Sequence, residues 1–425
     1  MTVAKLHLLW TARIAGDATS KYANSQPVVA AGVLVGGVPT DVVYTGDEHG
    51  FFAAFNAMTG ALLWRKALGS EVTGCHDIPD LTFGVTGAAT IDHPHNRVYV
   101  VDGTGVLWAF DLATGNVAPG WPSNGVRVVD DPSVDHVWSG LAFNPSNGNL
   151  YVPTASYCDI GRWHGALRAV NTQSASVTAV YYFATGTTAP PGSSGPFGGG
   201  VWSWGGISVD PTTQNLYSAT GNTSQLLSSP ASNESMTEWS PSLGLIASNF
   251  PVIGNGDLDF GGSAVLYSGG GSQCAVAYRK SGQLFTFDRT NVNAGPTTTW
   301  QIGQSGISSP AFSSATGLLY FNNPNAGALP QGLYAIRTGP GCALDQTPAW
   351  SVTGVNANLQ PISVAGGVVY DAFGSKLEAF SAATGSVPLW TSGSSITNGM
   401  QTGPTIVNGH VYVVDWSDTL YAFGL

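Results

Sequence analysis

The sequence predicts an all-β fold, an eight-bladed β-propeller of four-stranded antiparallel blades, and two observations carry that prediction. The first is a recurring segment. Ala54-Phe55-Asn56-Ala57-Met58-Thr59-Gly60, followed by Trp64, returns as Ala109-Phe110-Asp111-Leu112-Ala113-Thr114-Gly115 with Trp121, and as Ala379-Phe380-Ser381-Ala382-Ala383-Thr384-Gly385 with Trp390. Weaker copies begin at Ala169, Phe285, Ala335 and Ala422. The second is the alternating, β-branched and aromatic stretch ahead of each copy, such as Val42-Val43-Tyr44, Val98-Tyr99-Val100-Val101 and Val411-Tyr412-Val413-Val414, which is the pattern of a strand with one side chain per face. Self-similarity at a period of tens of residues marks a repeat architecture. With 56 glycines and 25 prolines among 425 residues, about one residue in five against roughly 12% in ordinary chains, turns are numerous enough to supply it.

Taken in order, the periods place blades near residues 25–66, 75–121, 131–183, 197–250, 256–302, 305–352 and 357–392. The eighth period has only three strands, ending at Tyr421-Ala422-Phe423-Gly424-Leu425. Leu8-Leu9-Trp10-Thr11-Ala12-Arg13 looks like the Leu62-Leu63-Trp64-Arg65-Lys66 strand, so the N-terminal segment is expected to supply the missing strand and close the ring, leaving no sheet edge to pair with another chain. The expected domain is one propeller over residues 1–425.

Composition excludes several classes of function. Hydrophobic residues make up 43% of the chain and charged residues 9%, which is not the composition of a disordered protein. The formal net charge is −11 and basic runs stop at pairs such as Arg65-Lys66 and Arg279-Lys280, so there is no footprint for a nucleic-acid backbone. Apolar runs such as 28–38 fall short of the roughly 20 residues a membrane helix requires. The first residues are too polar for a signal-peptide core, so any export signal is expected to have been removed or never present. Few charges and four cysteines without a Cys-x-x-Cys pair point to a periplasmic or secreted location. No Gly-x-Ser-x-Gly elbow, P-loop or dinucleotide fingerprint stands in a suitable context.

The loops joining blade to blade, and those between second and third strands, share one face, and blades two to five carry the long ones. Residues 67–86, 123–140, 154–166, 184–206, 221–240 and 250–262 collect His76, Asp77, Asp130, Asp131, Asp135, His136, Asp159, His164, Asn222, Asp257, Asp259 and several tryptophans, which makes that face the candidate site. Asp and Asn also serve there simply as turn caps. Trp138, Trp163 and Trp202 are expected either in the core or as an apolar or sugar-stacking mouth. Residues 184–200 and 223–240 are Ser-, Gly- and Pro-rich excursions that either flank the site or form surface loops.

The repeat resembles the tryptophan-docking repeats of the pyrroloquinoline quinone (PQQ) propeller superfamily, where the Trp of one blade packs against the Gly-bearing turn of the next. The resemblance covers essentially the whole chain, and the same repeats also build scaffolds that bind no cofactor. Within it, Trp204-Gly-Gly-Ile-Ser-Val-Asp-Pro followed by Asn215-Leu216-Tyr217-Ser218-Ala219-Thr220-Gly221-Asn222 is similar to a stretch of quinoprotein alcohol dehydrogenases. That likeness implies Trp204 as the floor under a planar quinone and Asn222 as an oxygen ligand of calcium. Gly256-Asp257-Leu258-Asp259-Phe260-Gly261-Gly262 resembles the Asp-Phe-Asp-Phe-Gly of polyvinyl-alcohol dehydrogenases, which implies Asp259 as the catalytic base and a metal neighbour. Tyr278-Arg279-Lys280-Ser281-Gly282 resembles the family's turn with a cation before x-Gly, which implies Lys280 as the charge facing the quinone oxygens.

The chain also departs from the family. Ile160 stands near the position of the calcium-binding glutamate, so that ligand is absent unless neighbouring Asp159 replaces it, and only Cys75, next to His76, stands where the quinone-capping cysteine pair lies. A Cys75–Cys158 disulfide between adjacent blades is one expectation, with Cys274 and Cys342 as a second pair, and the sequence leaves the connectivity open. Val72 precedes Cys75 where a haem-attachment motif needs Cys, so no covalently attached haem is expected, and a dehydrogenase of this sequence would pass electrons to an external acceptor. His76, Asp77, Asp159 and His164 are an alternative transition-metal set. Two readings therefore stand side by side. One is a PQQ- and Ca2+-dependent alcohol dehydrogenase. The other is a cofactor-free propeller that binds a ligand or protein, or a non-redox enzyme, on the same face.

Overall fold

The computed structural model describes residues 3–16, 22–222, 232–251, 257–261, 263–357 and 359–425. Among them are eight four-stranded antiparallel sheets, and in the first seven each strand pairs with the next in sequence. Blade 1 is Val28–Val35, Val38–Gly46, Phe51–Asn56 and Leu62–Ala67, and blade 3 repeats it as Ala142–Asn144, Asn149–Pro153, Ala166–Asn171 and Ser176–Tyr182. In blade 8, His7–Arg13 pairs antiparallel with Thr419–Gly424, as the Leu8-to-Arg13 likeness predicted. Among the described residues no helix is long and apolar enough to cross a membrane.

Blades stack face against face, so the middle strands have no wet side. Val98, Tyr99 and Val100 of blade 2 are fully buried, as are Leu319, Tyr320 and Phe321 of blade 6. Core clusters lie between blades. Tyr44, Phe52 and Trp64 of blade 1 meet Val98, Val100 and Phe110 of blade 2, and Val43, Ala53 and Phe55 meet Tyr412, Val414 and Leu420 of blade 8. Burial of this kind contributes on the order of 2 kcal/mol for each large apolar side chain.

The repeat segments do what their spacing implies. Trp10 Nε1 donates to the Ala57 carbonyl at 3.1 Å, Trp64 to Leu112 at 3.0 Å, Trp121 to Thr172 at 3.1 Å and Trp350 to Ala382 at 3.1 Å, each crossing to the next blade's turn. Gly115 has φ +66°, and a Cβ there would stand 2.6 Å from the Trp64 ring, so glycine serves both the turn and the docking indole. Trp390 Nε1 donates to Leu6 at 2.7 Å, so the N-terminal segment stands in for the turn that blade 8 lacks.

Blade 2 differs from expectation. Its outer strand is Val126–Arg127, not the stretch leading to Trp121, and only an isolated Phe110–Val117 bridge precedes it. Pro119 and Pro122 flank Trp121 and lack the N–H groups that a ladder needs. A short ribbon, Glu71–Val72 with Thr82–Phe83, lies in the connection from blade 1 to blade 2. Both expected disulfides form, Cys75–Cys158 with Cα atoms 5.4 Å apart and Cys274–Cys342 with Cα atoms 5.5 Å apart.

Candidate functional site

The loops of blades 2 to 5 converge on a cavity of about 500 Å³, completed from the far side of the ring by Ile307, Leu359 and Gln401. Its most constrained residue is Asp259, which is fully buried. The chain around it runs beside the second strand of blade 5, with a bridge from Phe260 to Arg279 and a 2.8 Å hydrogen bond from Lys280 N to the Asp259 carbonyl. That pairing sets the two side chains together. Lys280 Nζ lies 3.3 Å from Asp259 Oδ1 and also contacts Asp257, which is exposed.

The other carboxylate oxygen is fixed from blade 4. Asp259 Oδ2 accepts 2.6 Å from Trp202 Nε1 and 3.0 Å from the backbone N–H of Asn222. Two glycines make this approach feasible: a Cβ at Gly221 would lie 2.9 Å from the Trp202 ring, and one at Gly261 would lie 2.7 Å from it. Asn222 Nδ2 in turn donates to Asp159 Oδ2 at 2.7 Å. Lys280 Nζ sits 4.6 Å from the Trp202 ring centroid, a cation–π contact that adds to the ion pair.

Burial pushes the Asp259 carboxyl above its ordinary range, opposed by Lys280 and the Trp202 donor. Burial would lower the Lys280 ammonium, but Asp259 and Asp257 outweigh it and hold the ammonium above its usual value. Asp159 stands solvent-accessible at the mouth, and the protein around it still raises its carboxyl, opposed by Asn222 and Lys280. Lys280 is thus protonated at neutral pH, and burial makes Asp259 a stronger base than a solvent-exposed carboxylate.

Four tryptophans line the space, and three of them pack together. Trp138 stacks on Trp202 with centroids 5.1 Å apart, meets Trp204 edge to face at 5.8 Å, and packs on Tyr157 at 4.4 Å. The indole N–H groups of Trp138 and Trp204 are buried and have no partner among the described residues.

The sequence candidates Trp204, Asn222, Asp159 and Lys280 all line this cavity, and Asp259 lies directly beneath it. Cys75 is buried and reaches the cavity through its disulfide to Cys158. His76 is exposed and does not line the cavity, whereas its neighbour Asp77 does. The set of His76, Asp77, Asp159 and His164 is not brought together. His164 instead uses its backbone N–H on Asp135 at 2.7 Å, and the one tight Cys/Asp group among the described residues, Cys75, Asp77 and Cys158, has both sulfurs committed to a disulfide. Trp138, Trp163 and Trp202 do line the cavity, but Trp202 is a buried donor to Asp259, not part of an open mouth. That role went unread; the Trp-Ser-Trp spacing at 202–204 was its only signal. Gly256, Gly262 and residues 223–231 lie outside the described residues.

Residues 7–187 match the family described as outer membrane protein assembly factor BamB. Over 99% of its length the chain superposes on a quinohemoprotein alcohol dehydrogenase from Comamonas testosteroni, covering 77% of that chain, with a TM-score of 0.69 at 16% identity. A europium-containing methanol dehydrogenase gives 0.70 at 14% identity, covering all of this chain and 94% of the other. The chain shares the eight-bladed β-propeller fold of these proteins. BamB from Moraxella catarrhalis shares the propeller too, with a TM-score of 0.63 at 11% identity over 99% of this chain and 100% of its own. No curated protein matches this chain significantly. At these identities the likeness speaks for the fold alone.

Proposed function

We propose that the cavity is the active site of a quinoprotein-type dehydrogenase that oxidises an alcohol. The observation that carries this reading is Asp259: a fully buried carboxylate with one oxygen held by Trp202 and Asn222, and the other facing, among the described residues, only Lys280. A buried, oriented base beside a fixed cation is an arrangement for moving a proton, and burial strengthens the base.

The residues present fit PQQ and a hard cation. Flat indole walls suit a planar ring, and the unpartnered N–H groups of Trp138 and Trp204 are donors for its oxygens. Asp159, Asn222 and Asp257 line the cavity with carboxylate and amide oxygens of the kind Ca2+ takes, while Asp159, Asp257 and Asp259 do not by themselves form a metal-sized group. Asp77, Asp159 and Asp257 line the cavity against one lysine, so an anionic cofactor would need such a cation for charge balance. When bound, the quinone supplies the two-electron chemistry that no side chain offers.

The chain's own part follows from its geometry. Asp259 Oδ1 accepts the hydroxyl proton, and Trp202 and Asn222 hold the carboxylate in place while it does so. Lys280 keeps a full positive charge where negative charge grows, a contribution that needs no reorganisation at the moment of reaction.

Asp259→Asn keeps an acceptor for Trp202 while removing the base, so turnover with PQQ, Ca2+ and an artificial electron acceptor should fall by about 10²–10⁴-fold with the melting temperature little changed. Unchanged turnover would refute the assignment. Calorimetric titration with PQQ should show binding that requires Ca2+ and weakens in Trp204→Ala. No heat under any condition would favour the second reading, a cofactor-free scaffold. That reading draws on the BamB family match and on the way Asn222–Asp159 and Lys280–Asp257 partner one another within the chain.

A further inference from the structure

Beside the tryptophan-walled cavity, on the same face, lies a second cleft of about 410 Å³ over blades 6 to 8. The two spaces adjoin, since Leu359 and Gln401 line both. Their chemistry differs sharply. The first is lined by three acids and a lysine, whereas no charged side chain lines the second. Its polar groups are amides: Asn325, Gln331, Asn356 and Gln401.

Those amides present both donors and acceptors. Asn325 Nδ2 donates to Ser305, Gln331 Nε2 reaches Asn356 Oδ1 at 3.4 Å, and Gln401 Oε1 accepts from Tyr22 at 3.1 Å. Among the described residues these bonds leave Asn325 Oδ1, Gln331 Oε1, Asn356 Nδ2 and Gln401 Nε2 without a hydrogen-bond partner. A hydroxyl both donates and accepts, so a polyhydroxylated ligand can use such an array where a purely anionic or cationic one cannot. The cleft also holds Trp416, an exposed indole at 38% accessibility. Trp416 is braced on one side by Gly399, whose Cβ would stand 3.7 Å from its ring, and tilts against Tyr22 at 5.9 Å. An indole held rigidly at the surface gives contact area at little entropic cost.

We propose that this cleft binds a neutral carbohydrate, with Trp416 as the stacking platform and the four amides reading the sugar hydroxyls. Uncharged amides with an aromatic platform suit the alternating polar edge and apolar face of a pyranose, and the volume is that of a small-ligand site. The site stands whether or not the neighbouring cavity carries out redox chemistry.

The test is calorimetric titration of the full chain, without PQQ or metal, with maltohexaose, cellohexaose and xylohexaose, and with a hexamer of galacturonate as the charged control. At least one neutral hexaose should bind and shift the tryptophan fluorescence. Trp416→Ala should weaken it at least tenfold, and the double variant Gln331→Ala/Asn356→Ala, whose side chains are at the surface, should weaken it several-fold if the indole variant folds poorly. Trp204→Ala should leave it unchanged. The proposal is overturned if no neutral hexaose binds, if only the galacturonate hexamer does, or if both cleft variants bind as the parent does. Because no cofactor is present, any of these results leaves the dehydrogenase reading untouched.

Discussion

At the scale of single residues, the structure stores several acids where water does not reach. Glu48 is 1% exposed; burial pushes its carboxyl up from 4.5 to about 7, opposed by the Thr86 hydroxyl and the Gly84 N–H that it accepts. The sign of its effect on stability follows. Between pH 4.5 and 7 the unfolded chain has released this proton while the folded chain retains it, so stability falls as pH rises through that window, by about 3 kcal/mol in all. Glu48→Gln keeps the acceptor and removes the titration. Urea unfolding at pH 4.5 and pH 7.5 should show the variant gaining about that much on the parent between the two; an equal pH response in both proteins would count against a neutral Glu48. Nothing in Gly46-Asp47-Glu48-His49-Gly50 distinguishes this acid from a turn residue. Asp135, raised to about 6, and Asp371, raised to about 7, were equally unreadable, because burial is a property of the neighbouring blades.

At the scale of elements, the unit is a blade with its docked tryptophan. Trp64 packs among Tyr44, Phe52 and Phe110 and donates to Leu112. Trp64→Ala should cost about 3–5 kcal/mol by cavity formation, read as a lower midpoint in urea. A loss below about 1 kcal/mol would mean that the blade interface does not depend on this contact. These docks were legible because they are local: the Trp, the Thr-Gly turn and the strands around them recur at a spacing that any chain reader can find. Blade 2 was misplaced by a few residues because docking and strand pairing part company there. Trp121 still docks on Thr172, yet the prolines beside it push the ladder on to Val126–Arg127.

At the scale of the molecule, ring closure joins the chain's two ends. His7–Arg13 covers the edge of Thr419–Gly424, and Leu6 receives Trp390. Deleting residues 1–13 removes both and bares the edge along Thr419–Gly424, so the shortened chain should self-associate in size-exclusion chromatography with light scattering. A monomeric shortened chain of unchanged melting temperature would show that the closing strand is dispensable. Closure also matters to the site, since Ile307, Leu359 and Gln401 reach the cavity from blades that the sequence motifs never implicated.

By itself the sequence determined the class of fold, the number of blades, the strand that closes the ring and the docking tryptophans, since each depends on backbone neighbours and a repeat that restates itself seven times. It also named Asp259, Asn222, Lys280, Asp159 and Trp204. Only the tertiary structure decided that Trp202 rather than Trp204 holds Asp259, that Asn222 bonds Asp159 across 63 residues of chain, that His76 faces solvent, and that a neutral cleft adjoins the acidic cavity. Those contacts join loops from different blades. The angle at which each blade meets the next sets their distances, and that angle comes from packing summed around the whole ring, which no local stretch of sequence encodes.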